Sequence, residues 1–180
     1  MIILGIDPGF ATIGYGFLRK EGGELHVLEY GIISTPPDAD PGSRTSLRPV
    51  HYGAGFSFRL KIISDDLRRL IKKYNPDVMS VEKLFFCKNV KTALDVGQAR
   101  GIILLEGMNA GLPLHEFTPL QVKQAITGYG GAGKMQMQKM VQQILRLREL
   151  PRPDDAADAL ALAITLANSI NLIDKNAVKK

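Results

Sequence analysis

The feature that most constrains the fold is a change in the spacing of apolar residues near Phe58. Before it, the chain predicts strands over 2–7, 12–20 and 24–34, and the last two are separated by a Gly22-Gly23 hairpin turn. After it, apolar residues recur at helical spacing as far as Tyr74. Consecutive strands joined by short turns favour an antiparallel meander, whose apolar face the following helices would cover.

Strands and helices then alternate. We predict a strand from Asp77 to Lys83, a helix from Asn89, as its N-cap, to Gly111, and a short strand from Pro113 to Phe117. Three helices complete the chain, over 119–127, 134–148 and 154–170. The order predicts an α/β fold with a five-stranded mixed sheet flanked by helices.

The length of 180 residues is typical of one domain with a sizeable core. We assign residues 1–170 to this domain and 171–180 to a short C-terminal tail. A hydrophobic fraction of 45% with 23% charged residues excludes an intrinsically disordered chain. A Pro- and Gly-rich segment at about 35–57 predicts one long surface loop, which is unusual in a compact domain.

The sequence favours a cytoplasmic protein. No apolar run is long enough to span a bilayer, and the N-terminus lacks the features of a signal peptide. The single Cys87 cannot form an intramolecular disulfide, and His26, His51 and His115 show no zinc-ligand spacing. The 23 basic and 18 acidic residues give a net charge of +5, which suits a polyanionic partner but is common among unrelated proteins.

Several carboxylates lie where apolar strands end or a helix begins. Asp7 follows the apolar run Ile2–Ile6, and Glu82 ends the strand that begins near Asp77. Asp155 and Asp158 are three residues apart, so their side chains share one face of the last helix, and hard carboxylate oxygens suit magnesium or manganese. The structural alternatives are a turn cap for Asp7, a solvated surface acid for Glu82 and ordinary helix N-terminal acids for the pair. Asp154 is the natural N-cap of that helix.

At this point the sequence resembles the RuvC family of crossover-junction endodeoxyribonucleases. The resemblance covers nearly the whole chain, in order and at matching spacing. It rests on these segments: Ile3-Leu4-Gly5-Ile6-Asp7-Pro8-Gly9, Gly14-Tyr15-Gly16, Glu82-Lys83-Leu84-Phe85, Lys88-Asn89, Gly97-Gln98-Ala99-Arg100-Gly101, Gln121-Val122-Lys123-Gln124 and Asp155-Ala156-Ala157-Asp158-Ala159-Leu160-Ala161.

This resemblance implies a ribonuclease H-like fold and a homodimer that resolves Holliday junctions in DNA recombination and repair. It implies that Asp7, Glu82, Asp155 and Asp158 are both the catalytic acids and the ligands of two Mg²⁺ ions, which Mn²⁺ can replace. It also implies the RuvA and RuvB branch-migration proteins as partners. The segment 35–57 is longer than the usual family connection, so no role is carried over to it.

The resemblance extends to DNA contacts. Lys123 and Lys134 match phosphate-contacting positions, and Lys88 is a weaker candidate, as are Lys91 and Arg100. Of the adjacent aromatic residues after Glu82, we expect Phe85 to stack on an unpaired base and Phe86 to point inward. Without the family context, each lysine is equally well an ordinary surface residue.

The helix at 90–110 carries small residues four apart, at Ala93, Gly97 and Gly101. This stripe can seat the helix on the sheet, or it can form the dimer contact that the resemblance implies. Two alternatives to the nuclease remain open: a junction-binding relative without catalysis, and an actin-like or sugar-kinase-type phosphotransferase. Retention of all four acids argues against the first, and the short chain without a second phosphate loop argues against the second.

Overall fold

The computed structural model describes residues 1–35, 54–84 and 90–177, which form five strands and five helices. The strands are β1 (Ile2–Asp7), β2 (Thr12–Glu21), β3 (Glu24–Ser34), β4 (Val78–Glu82) and β5 (Leu114–Phe117). The helices are α1 (Ala54–Tyr74), α2 (Val90–Asn109), α3 (Pro119–Thr127), α4 (Lys134–Ile144) and α5 (Asp154–Ala177).

The strands form one mixed sheet in the order β3-β2-β1-β4-β5. The first three strands are an antiparallel meander, and β4 and β5 continue the sheet parallel to β1. Strand β1 is central and nearly fully buried. The predicted five-stranded mixed sheet with flanking helices is therefore confirmed.

Helices cover both faces of the sheet, and alternation along β1 assigns its side chains to the two faces. Leu4 and Ile6 pack in the core that α1 and α2 share with the sheet. Ile3 packs in the opposite core, with residues of α3, α4 and α5. Asp7 follows Ile3 and Gly5 at intervals of two, so its side chain lies on the α5 face.

Helix α5 lies unusually close to the sheet because the strand residues beneath it are small. A Cβ atom placed on Gly5 would lie 2.0 Å from the backbone oxygen of Ala159, and one on Gly16 would lie 2.8 Å from Leu160 Cδ2. On β4, Ser80 takes the equivalent position and donates a hydrogen bond from Oγ to the Leu162 carbonyl oxygen at 3.1 Å. Any larger side chain here would lift the helix.

Three predicted helix boundaries were wrong by four residues or more. Helix α1 begins at Ala54, four residues before Phe58, so the end of the predicted loop 35–57 is helical. Helix α4 ends at Ile144, where we predicted 148, because Arg146 adopts a left-handed backbone with φ of 52°. Helix α5 continues to Ala177, into the segment assigned to the tail.

Some predictions fall outside the described residues. They concern the loop residues 36–53 and residues 85–89, which include Asn89, the expected N-cap of α2. Among the helices that the structure describes, none has both the length and the apolar character to cross a membrane.

Candidate active site

Asp7 and Glu82 are neighbours at one edge of the site. They are the last residues of the parallel strands β1 and β4. These strands pair in a register that puts Ile6 opposite Val81. Along β4, Glu82 follows Ser80 at an interval of two, so it shares the α5 face with Asp7. The carboxyl ends of parallel strands are where open α/β sheets place their sites.

The other two acids come from the first turns of α5. A Cβ atom on Gly14 would lie 1.9 Å from the backbone oxygen of Asp155, and Gly14 is the β2 residue that pairs with Asp7. The N-terminus of α5 therefore lies directly beside the end of β1. Asp158 is one turn further along and lines a cavity together with Glu82.

The acids share one electrostatic environment. Burial, followed by the charges of Glu82, Asp158 and Asp155, raises the pKa of Asp7 from 3.8 to about 8. Burial and the Asp158 charge also raise the pKa of Glu82. The pKa of Asp158 is raised, mainly by its own burial. The fold thus holds carboxylates where their negative charges oppose one another, which is costly unless protons or cations are present.

Two lysines border the acids. Lys123 of α3 and Lys134 of α4 line the same cavity of about 270 Å³ as Glu82 and Asp158. The Lys134 charge lowers the pKa of both Asp7 and Asp158, and the Lys123 charge lowers that of Glu82. These are the two lysines that the sequence singles out as phosphate contacts, and the structure brings them to the acids.

The donor chemistry of this cluster fits Mg²⁺ or Mn²⁺, since all four candidate ligands are carboxylates. Burial and then the neighbouring acids raise the pKa of Asp7, and a bound cation would offset both effects by stabilising its carboxylate. In their present positions, no three His, Cys, Asp or Glu side chains of the described residues are close enough to hold a metal ion. A cation held by three or more of these acids would therefore require side-chain movement.

Asp154 does not act as the predicted N-cap. It is the first residue of α5, and the carbonyl oxygen of Pro153 accepts the first backbone hydrogen bond, from Ala156. The Asp154 carboxylate instead lies 3.0 Å from Lys134 Nζ and accepts a hydrogen bond from Gln138 Nε2. Sequence reasoning missed Gln138, although its spacing of four from Lys134 places both on one face of α4.

Arg100, a weak DNA-contact candidate from the sequence, is engaged within the fold. Its Nε donates to the Glu82 carbonyl oxygen at 3.3 Å, and its guanidinium pairs with Glu116 of β5. Only 18% of its side chain is exposed. Arg100 therefore ties α2 to the strand end that carries Glu82.

The remaining DNA-contact candidates Phe85 and Lys88, and the expected inward residue Phe86, lie outside the described residues, as does the side chain of Lys91. The structure does describe the small-residue stripe of α2. No described atom lies within 4 Å of a Cβ placed on Gly97 or Gly101, so these glycines do not seat the helix on the sheet. That contact is made near Gly107, whose Cβ would lie 2.4 Å from Met79 Cε.

Comparison with known proteins places this chain in a family. The family model described as "Crossover junction endodeoxyribonuclease RuvC" matches residues 3–166. The chain belongs to the RuvC family. The RuvC of Halothermothrix orenii is 53% identical over 172 residues, which are 96% of this chain and 95% of that protein. The RuvC of Brevibacillus brevis is 52% identical and covers 93% and 92% of the two chains.

Solved structures agree with the RuvC assignment. Thermus thermophilus RuvC in complex with a Holliday junction substrate matches with a TM-score of 0.79 and 31% identity, over 96% of each chain. The yeast mitochondrial Holliday junction resolvase Ydc2 shares the fold, with a TM-score of 0.58 at 15% identity over 92% of this chain and 78% of that one. The resemblance inferred from the sequence motifs and its ribonuclease H-like fold are thus confirmed.

Proposed function

We propose that this chain is a Holliday junction resolvase that nicks DNA symmetrically at the crossover by metal-dependent hydrolysis. The observation that carries the proposal is the electrostatic coupling of Asp7 to Glu82, Asp155 and Asp158 where the start of α5 meets the end of β1, in a chain of the RuvC family. Two bordering lysines supply the positive charge that a DNA backbone needs to approach such an acidic cluster.

The four acids would hold two Mg²⁺ ions, with Mn²⁺ as a substitute. Bound there, the metal supplies activation of the attacking water and stabilisation of the leaving oxygen. Asp7 is the proposed shared ligand because it lies on the rigid central strand, electrostatically coupled to the other three acids. Lys123 and Lys134 orient the phosphate, Phe85 stacks on an unpaired base, and Lys88 contacts the backbone nearby.

The proposed active assembly is a homodimer, because a four-way junction needs two symmetric nicks. Its proposed interface is α2, where Leu94, Leu105 and Met108 are 64%, 52% and 63% exposed. These residues lie at intervals of three or four from Gly97 and Gly101 and therefore share one face of α2. At the two glycines the backbone of a second subunit could approach closely. Leu105→Glu should give a monomer in sedimentation experiments, and a dimer of this variant would move the interface elsewhere. RuvA and RuvB remain proposed partners.

The decisive experiment measures nicking of a synthetic four-way junction and of plain duplex DNA, with and without Mg²⁺. We expect cleavage of the junction alone, only with the metal, and paired nicks at the crossover. Mg²⁺ should also raise the melting temperature of the wild-type protein but not of Asp7→Asn. Junction binding without cleavage would favour the inactive relative, and ATP hydrolysis without nicking would favour a phosphotransferase.

A further inference from the structure

Asp154 forms a short chain of polar contacts next to the acid cluster. Its Oδ1 accepts a hydrogen bond of 2.5 Å from Gln138 Nε2, and its Oδ2 lies 3.0 Å from Lys134 Nζ. Gln138 and Lys134 are one turn apart on α4, whereas Asp154 begins α5. The three side chains therefore join the two helices at the edge of the site.

The burial of the three residues differs in an informative way. The Lys134 and Asp154 side chains are 62% and 51% exposed, and ion pairs as exposed as this one contribute little to stability. Gln138, in contrast, is only 6% exposed, so its amide is fixed by packing. The buried Gln138 amide therefore fixes the Asp154 carboxylate, and the other oxygen of that carboxylate pairs with the flexible Lys134 side chain. The arrangement defines geometry more than it stabilises the fold.

The lysine so held faces the site. Lys134 lines the cavity with Glu82 and Asp158, and its charge acts on Asp7 as well. An unrestrained lysine samples many rotamers and loses that freedom whenever it must meet a phosphate. A partner that restricts the side chain beforehand reduces this loss at the moment of reaction.

We propose that Asp154, anchored by Gln138, is a positioning residue that holds the Lys134 ammonium group beside the catalytic acids, where the scissile phosphate arrives. Asp154 is thereby distinct from the neighbouring metal-ligand candidate Asp155. This proposal rests on the nuclease function proposed above, since it concerns the placement of a phosphate-contacting group.

A double-mutant cycle tests the proposal, using Asp154→Ala, Lys134→Ala and the combined variant. The readouts are the single-turnover nicking rate at saturating enzyme and the junction affinity without Mg²⁺. We expect Asp154→Ala to lower the nicking rate about tenfold, because the Lys134 ammonium group is no longer held in place. Junction binding should not weaken, because the substitution removes a negative charge near the DNA. In the Lys134→Ala background the same change should alter the rate less than twofold. Asp154→Glu should restore part of the rate.

The control is Asp65→Ala, which breaks the similarly exposed Lys61–Asp65 ion pair of α1 and should change neither readout. The melting temperature of Asp65→Ala should stay close to wild type, and that of Asp154→Ala should fall only slightly, because the buried Gln138 amide loses its acceptor. A large drop for Asp154→Ala alone would overturn the positioning role in favour of a structural one. Rate losses that simply add, or a changed Mg²⁺ requirement that persists without Lys134, would also overturn it. A wild-type chain that does not nick junctions would overturn the proposed function itself.

Discussion

A single methyl group at Gly14 should inactivate the site without removing any acid. In Gly14→Ala, the new Cβ would lie 1.9 Å from the backbone oxygen of Asp155. Carbon and carbonyl oxygen atoms approach to about 3.3 Å at closest, so helix and strand must separate by about 1.4 Å. The displaced helix turn carries Asp155 and Asp158, so the separation moves both acids away from Asp7 on β1.

Overpacking of this kind costs about 1–3 kcal/mol or somewhat more, against a typical total stability of about 5–15 kcal/mol. The variant should therefore fold, with a lowered melting temperature. We expect its nicking rate to fall at least about a hundredfold, since displacements near 1 Å have effects of that size. Its melting temperature should no longer rise with Mg²⁺.

The matched control is Gly55→Ala in the first turn of α1, where no described atom lies within 4 Å of the added Cβ. This variant should retain wild-type nicking and stability. The reasoning would be refuted by a Gly14→Ala variant that nicks within twofold of wild type with an unchanged Mg²⁺ requirement.

Three further predictions concern the acids, the phosphate contacts and the aromatic residues. Because burial and neighbouring acids raise the pKa of Asp7 to about 8, the metal-free folded chain retains a proton that the unfolded chain releases near 3.8. The stability of the metal-free wild type should therefore fall as the pH rises between those values. Asp7→Asn should lose all cleavage but melt at a higher temperature than the metal-free wild type at pH 8, and a lower melting temperature than the wild type would contradict this. Lys123→Ala should weaken binding equally for all junction sequences and reduce the salt slope by about 0.9, and an unchanged slope would make Lys123 a plain surface residue. Phe85→Ala should slow nicking by about ten- to a hundredfold, with a smaller defect on a junction already unpaired at the crossover. Phe86→Ala should instead lower the free energy of unfolding, by about 3–5 kcal/mol for a fully buried ring, and with it the melting temperature. Equal defects on both junctions would make Phe85 structural.

The positions of Asp7, Glu82 and the Asp155–Asp158 pair were predictable because each follows a local rule. Two acids end apolar strands, and two lie three residues apart at a helix start. That the four acids act together follows from the family resemblance alone, whereas their spacing depends on how closely α5 packs on the sheet, which no local rule gives. The distance between α5 and the sheet is set by Gly5, Gly14 and Gly16. In the sequence these glycines only interrupt the strand pattern, and nothing there indicates that a helix packs against them.

The errors in the predicted helix boundaries also have physical causes. Gly55 makes the start of α1 resemble a loop, although the segment is helical from Ala54. The apolar residues Leu145 and Leu147 continue the helical pattern of α4 beyond its true end. Arg146 between them has a left-handed backbone, which is uncommon for arginine and therefore not predicted from its residue type. The contacts of the Asp154 side chain were missed because both of its partners come from another helix.

The wide separation of the acids along the chain links activity to completed folding. The β1–β3 meander forms within the first 34 residues but contains only Asp7 among the four acids. Glu82 joins it through the non-local pairing of β4 with β1, and Asp155 and Asp158 join only when α5 covers the sheet. Contacts of such long sequence separation are slow to form. A chain still being synthesised, or one that has partly unfolded, therefore lacks the assembled acid cluster on which the proposed cleavage depends.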